Sequence, residues 1–93
     1  AKLVRWNLDI ENGFAIPNFT SQHLDSFKVP LHPFLGCVAA AAPLDNKEPL
    51  TYFADVYGGN MDFYKAKTGA TIYLPVFHDG ALLYFGDGHA AQG

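Results

Sequence analysis

Thr71-Ile72-Tyr73-Leu74-Pro75-Val76-Phe77-His78-Asp79-Gly80-Ala81-Leu82-Leu83-Tyr84-Phe85 is the stretch that decides the fold class. Two apolar runs rich in β-formers flank an Asp-Gly dipeptide, the pairing that suits a tight hairpin turn. The pattern predicts strands over residues 71–77 and 81–85, paired antiparallel about Asp79-Gly80. Pro75 has no N–H to give a ladder, so it marks an edge or a bulge. Gly86 then releases the chain into Asp87-Gly88-His89-Ala90-Ala91-Gln92-Gly93.

Towards the N-terminus the same short-strand rhythm continues. Residues 3–10 alternate, with Leu3, Arg5, Asn7 and Asp9 on one face and Val4, Trp6, Leu8 and Ile10 on the other. The second face is wholly apolar, which predicts a half-buried strand. Glu11-Asn12-Gly13 reads as a turn, and Phe14-Ala15-Ile16 pairs back across it before Pro17. Residues 20–27 are polar and irregular, with a short strand near their end. Two prolines make residues 29–36 extended or looping. The small-residue run 37–42, closed by Pro43, is too short for a stable helix and reads as a tightly packed strand. Residues 45–49 form a polar loop, and Tyr57-Gly58-Gly59-Asn60-Met61-Asp62 a glycine-relaxed turn.

Length and composition fit one small, β-rich domain. Of 93 residues, 49% are hydrophobic and 16% charged, enough apolar material for a core but a modest one at this size. Fourteen aromatics (eight Phe, five Tyr, one Trp) favour strands. Six basic residues are scattered and the net charge is −3, which argues against nucleic acid and against an anionic membrane surface. No apolar run is long enough to span a bilayer and no secretory leader is evident, so a cytoplasmic location is expected. The single cysteine, Cys37, excludes an internal disulfide and reads as a buried, inert thiol among apolar neighbours.

Two polar clusters carry chemistry. Asp87 and His89 stand at i and i+2, so an extended backbone points both to one face, close enough to share a metal ion. A neutral imidazole and a carboxylate are ordinary ligands for zinc, and the carboxylate alternatively serves as base for an activated water. The bland alternative is a turn-capping Asp87 and a solvated His89. Asn60 and Asp62 repeat that spacing after Gly58-Gly59, whose freedom at φ lets the backbone approach a ligand. There the alternative is an Asx-turn. Gln92 reads as a hydrogen-bonding residue, His32 as a packing histidine, and His23 and His78 as solvated ones. No nucleophile elbow, phosphate loop or dinucleotide fingerprint occurs.

Together these blocks resemble the acetamidase/formamidase family. Arg5-Trp6-Asn7-Leu8-Asp9 resembles the family's Trp-bearing strand. Val29-Pro30-Leu31-His32-Pro33-Phe34-Leu35-Gly36-Cys37-Val38-Ala39 resembles its proline-rich stretch entering a small-residue strand, which closes on Ala42-Pro43. Gly58-Gly59-Asn60-Met61-Asp62 and Gly86-Asp87-Gly88-His89-Ala90-Ala91-Gln92-Gly93 are the most specific matches, and residues 69–76 with 80–83 support them.

The resemblance implies hydrolysis of short aliphatic amides to a carboxylate and ammonia, with a divalent metal, expected to be zinc. It implies His89 and Asp87 as metal ligands and Asp62 as ligand or general base. Asn60 would orient the small amide substrate or hydrogen-bond the oxyanion. The resemblance also implies a mainly β, sandwich-like fold. Family members are longer, and their motif runs on into an acidic Asp-Gly-Glu segment. Residues 1–93 are therefore expected to be a single partial domain, an incomplete portion of a larger one and a central segment of a longer enzyme. Homo-oligomerisation, or association with the remainder of the parent protein, is expected. The competing reading is a non-enzymatic β module used for binding or oligomerisation.

Overall fold

The computed structural model describes residues 2–45 and 50–92. Among the described residues all regular structure is strand, so the mainly β class expected from the sequence is the one observed. The loop expected over 45–49 lies outside the described residues apart from Asp45, as does Gly93.

The first sheet has the order β1-β2-β3. β1 (Trp6–Asp9) and β2 (Phe14–Pro17) form the expected N-terminal hairpin, with Leu8 opposite Ala15. The turn is closed by Asp9, whose carboxylate accepts the main-chain N–H of Asn12 at 3.0 Å and its side-chain amide at 2.9 and 3.1 Å. Those bonds favour the ionised form and hold the Asp9 carboxyl below its ordinary value. β3 (Val29–Pro30) adds to β2 through Ala15 and Phe14. Trp6 and Leu8, expected on a half-buried face, are 43% and 51% exposed, because no second layer covers them among the described residues.

The second sheet has the order β5-β6-β4-β7, all antiparallel neighbours. β4 (Phe34–Ala39) is its inner strand, flanked by β6 (Gly58–Asn60) and β7 (Tyr84–His89), with β5 (Ala54–Asp55) beyond β6. The core sits here: Phe34, Cys37, Ala39, Ala40 and Tyr57 are buried. The Cys37 thiol, expected to be buried, lies 3.8 Å from the Thr51 carbonyl. Burial, then the negative charges of Asp87 and Asp62, push it above its ordinary value.

Two expectations are corrected. Gly58-Gly59-Asn60 is a strand between β5 and β4, not a turn. Its glycines take φ of +93° and +120°, and a Cβ on either would strike neighbouring backbone, with Ala39 Cα at 3.1 Å and Ala54 Cα at 3.0 Å. They are glycines because the strands approach closely.

The hairpin about Asp79-Gly80 does not form: residues 71–77 contain no strand, and β7 begins at Tyr84 and pairs with β4. The turn is present but longer than a two-residue one, because Gly80, Ala81 and Leu82 all have positive φ (79°, 58° and 51°). It docks on the end of β4. Ala41 N–H donates to the Ala81 carbonyl at 3.0 Å, and His78 Nε2 lies 2.7 Å from the Ala42 carbonyl, so His78 is a packing residue and not a solvated one. The chain leaves that anchor along β4 instead of returning along 71–77.

Candidate metal centre

The centre is built on β4 by its two neighbours. Alternation puts Phe34, Gly36 and Val38 on one face of β4, and the register sets His89 opposite Phe34 and Phe85 opposite Val38. Gly36 therefore falls level with Asp87, between the pairs Leu35↔Gly88 and Cys37↔Gly86. On the other side of β4, the Gly36 carbonyl accepts the N–H groups of Met61 at 2.9 Å and Asp62 at 3.1 Å, which carries Asp62 round the end of β6. Asp62 and Asp87 both sit in the left-handed region, at φ 45° and 56°. Aspartate tolerates that conformation better than most residues, and it turns each carboxylate towards the same spot.

That spot holds three donors. His89 Nε2 lies 3.0 Å from Asp87 Oδ2 and 3.3 Å from Asp62 Oδ1, and all three ligand atoms fall within 4.8 Å of one another. His89 is held by its partner across the sheet: the rings of Phe34 and His89 stack 4.7 Å apart at 13°. The imidazole side chain is only 17% exposed, whereas the carboxylate side chains of Asp62 and Asp87 are 42% and 48% exposed.

The donor set fits a divalent cation on its own chemistry. A single Nε2–H has one hydrogen to give, and two carboxylates compete for it. The Asp62 Oδ1 atom is buried and has no hydrogen-bond partner, an arrangement that costs free energy unless something positive meets it. Zinc bonds of about 2 Å at tetrahedral angles space ligand atoms roughly 3.3 Å apart. The two distances from His89, 3.0 and 3.3 Å, are close to that spacing, and all three atoms stay within 4.8 Å of one another.

Of the four residues singled out from sequence, Asp62, Asp87 and His89 meet at one point. Asn60 pairs with Cys37, out of phase with Gly36, and lines an adjoining recess of about 390 Å³ with Cys37, Tyr84 and Asp87. A second, larger cleft of about 600 Å³ opens beside His89, walled by Phe34, Val38, Ile72 and Phe85 and by the segment around Lys67. Lys67 is tied there by a bridge to Phe34. Sequence reasoning missed Phe34 and Gly36. The pairing of β4 with β7, which sets Phe34 opposite His89 and Gly36 level with Asp87, is what brings them to the site.

The Acetamidase/Formamidase family model matches residues 51–93, the C-terminal segment that carries Asp62, Asp87 and His89. The crystal structure of an acetamidase from Bacillus halodurans superposes with a TM-score of 0.69 at 38% identity, over 87% of this chain. This chain spans 25% of the length of that acetamidase. None of the curated proteins matches it. Among the described residues no helix is long and apolar enough to cross a membrane. The family match and the likeness to that acetamidase together support reading this chain as a fragment of an acetamidase/formamidase family protein.

Proposed function

We propose that this chain carries the metal-binding part of an amidase that hydrolyses short aliphatic amides of the acetamide and formamide type to a carboxylate and ammonia. The observation that carries the reading is the meeting of Asp62, Asp87 and His89 about a buried, unpartnered carboxylate oxygen. These three residues would hold a divalent ion, for which zinc suits the imidazole-and-carboxylate set. When bound, such an ion supplies Lewis acidity, polarising an amide carbonyl and acidifying water to a pKa of about 7.

The remaining chemistry belongs to side chains. Amide hydrolysis needs a proton taken from water and delivered to the leaving nitrogen. Asp62 and Asp87 are each partly open to solvent, so the carboxylate oxygen of either that is not engaged with the ion can carry that proton. His89 serves as a neutral ligand, and its stack on Phe34 keeps the ring from turning away. Asn60, in the recess it shares with Asp87, offers an amide N–H₂ to a substrate carbonyl oxygen and a carbonyl to a substrate N–H. Val38, Ile72 and Phe85 offer an apolar wall for the acyl group.

Metal content and ammonia release from acetamide and formamide, measured on the natural full-length protein, test the proposal. His89→Ala should lose both together, and His78→Ala, which sits on the Ala42 carbonyl, should keep both. Full amidase activity in a metal-free His89→Ala protein would refute it. A metal-free wild type without hydrolytic activity would favour the binding-module reading.

A further inference from the structure

We infer that Gly36 gives the ion its room, and that the absence of a side chain at this one position decides whether the centre can be loaded. The inference rests on the metal reading above and adds a residue that supplies no ligand atom. A Cβ built on Gly36 would lie 2.5 Å from Asp87 Oδ2, 2.5 Å from His89 Nε2 and 2.8 Å from Asp62 Oδ1. All three donors thus converge on the space a methyl group would fill.

Conformation does not explain the glycine. Gly36 lies within β4 and its φ is outside the left-handed region, so alanine fits its backbone without strain. Nor does close approach of strands explain it. At Gly58 and Gly59 an added Cβ meets main-chain atoms, whereas at Gly36 the nearest atoms are the tips of three side chains. Two of those tips belong to carboxylates with access to solvent, which can swing outward. The third is the His89 ring at 2.5 Å, so admitting a methyl also shifts that ring on its Phe34 stack. The sheet then survives while the donors part. Gly36 also holds Asp62 in place through its carbonyl, a contact that alanine would keep.

The test compares zinc binding by the wild type, Gly36→Ala and Gly88→Ala, using competition against a chromophoric chelator, with unfolding of each followed in excess chelator. Gly88 adjoins His89 and has open space where its Cβ would lie, so Gly88→Ala controls for adding a methyl near the site. The expected result is zinc binding by the wild type and Gly88→Ala within about 3-fold. Gly36→Ala should unfold like the metal-free wild type and bind at least about 100-fold more weakly, beyond the 10–100-fold loss usual for residues that only support a ligand. Equal binding by a folded Gly36→Ala, or equal loss in Gly88→Ala, would overturn the role of Gly36 and leave the metal reading standing. No zinc binding by the wild type would overturn both. If Gly36→Ala does not fold, Gly36→Ala/Asp87→Gly decides, since Asp87 has a φ of 56° that glycine accepts and its loss frees the contested space. Recovery of folding in the double variant supports the inference, and failure to recover overturns it.

Discussion

Asp62→Asn should make the metal-free protein more stable and the metal-loaded one harder to form. The substitution is nearly isosteric, and asparagine accepts the left-handed φ of 45° at this position as readily as aspartate. It removes one of two like charges whose facing oxygens lie within 4.8 Å. Coulomb's law at that separation gives about 0.9 kcal/mol in water and about 3.5 kcal/mol at an effective dielectric of 20. With the two carboxylate side chains 42% and 48% exposed, solvent screening favours the lower figure, so relief of about 1 kcal/mol is expected. For a domain of this size that is a rise in melting temperature of about 4–8 °C in chelator. Zinc affinity should fall at least about 100-fold, or about 2.8 kcal/mol at 1.4 kcal/mol per decade. Urea or thermal unfolding in chelator measures the first effect and chelator competition the second. Opposite signs are the mark of a site whose carboxylates are assembled for a cation. Asp62→Asn less stable than wild type without metal, or equal to it in zinc affinity, would refute the reasoning.

Gly59→Ala should destabilise by more than about 2 kcal/mol, since a φ of +120° strains any side chain and its Cβ meets the Phe53 carbonyl and Ala54 Cα at 3.0 Å; urea unfolding measures it. Stability should decline as pH rises above 9. Burial raises the Cys37 thiol from 9.0 and the Tyr84 phenol from 10.0, so their contribution is complete below those ordinary values and is lost as pH climbs through the folded ones; Cys37→Ser/Tyr84→Phe should flatten that decline in a pH series of melts. The isolated chain should self-associate, because its radius of gyration of 17.0 Å exceeds the about 12 Å of a compact domain of this length. Tyr73, Leu44 and Ile10 are 91%, 92% and 80% exposed, and light scattering showing a monodisperse monomer at high concentration would contradict this.

Strand content was legible wherever the local signal and the true partner lay close together. The hairpin of β1 and β2 is such a case: Asp9, Asn12 and Gly13 close it with bonds reaching three or four residues along the chain. The hairpin about Asp79-Gly80 was misread because the same local signal competed with a distant one. Ala41 and Ala42, some forty residues earlier, take the hydrogen bonds of the turn, and β4 takes the strand that follows. Nothing in residues 71–85 records that competitor. Gly58-Gly59 was likewise read as a turn because glycine relaxes turns. Its real cause, backbone crowding from β4 and β5, depends on strands far away in sequence.

The meeting of three of the four candidate site residues was legible in the sequence, and the reason is physical. Asp87 and His89 stand at i and i+2 on β7 and their side chains do meet, although a left-handed φ of 56° at Asp87, and not extended backbone alone, sets the carboxylate beside the imidazole. Asp62 joins them by a different route, since Asn60 keeps the alternation of β6 while Asp62 leaves it through a left-handed turn anchored on the Gly36 carbonyl. Asn60 therefore parts from Asp62 and sits in the neighbouring recess, although the sequence spacing treats the two alike. Candidate ligand residues announce themselves by chemistry, whereas the space they surround belongs to a glycine with no chemistry to announce. Gly36 was visible in sequence only as one more member of a small-residue run. Once β6 and β7 are paired on either side of β4, that same glycine is, among the described glycines, the one at which an added methyl would meet Asp62, Asp87 and His89 together.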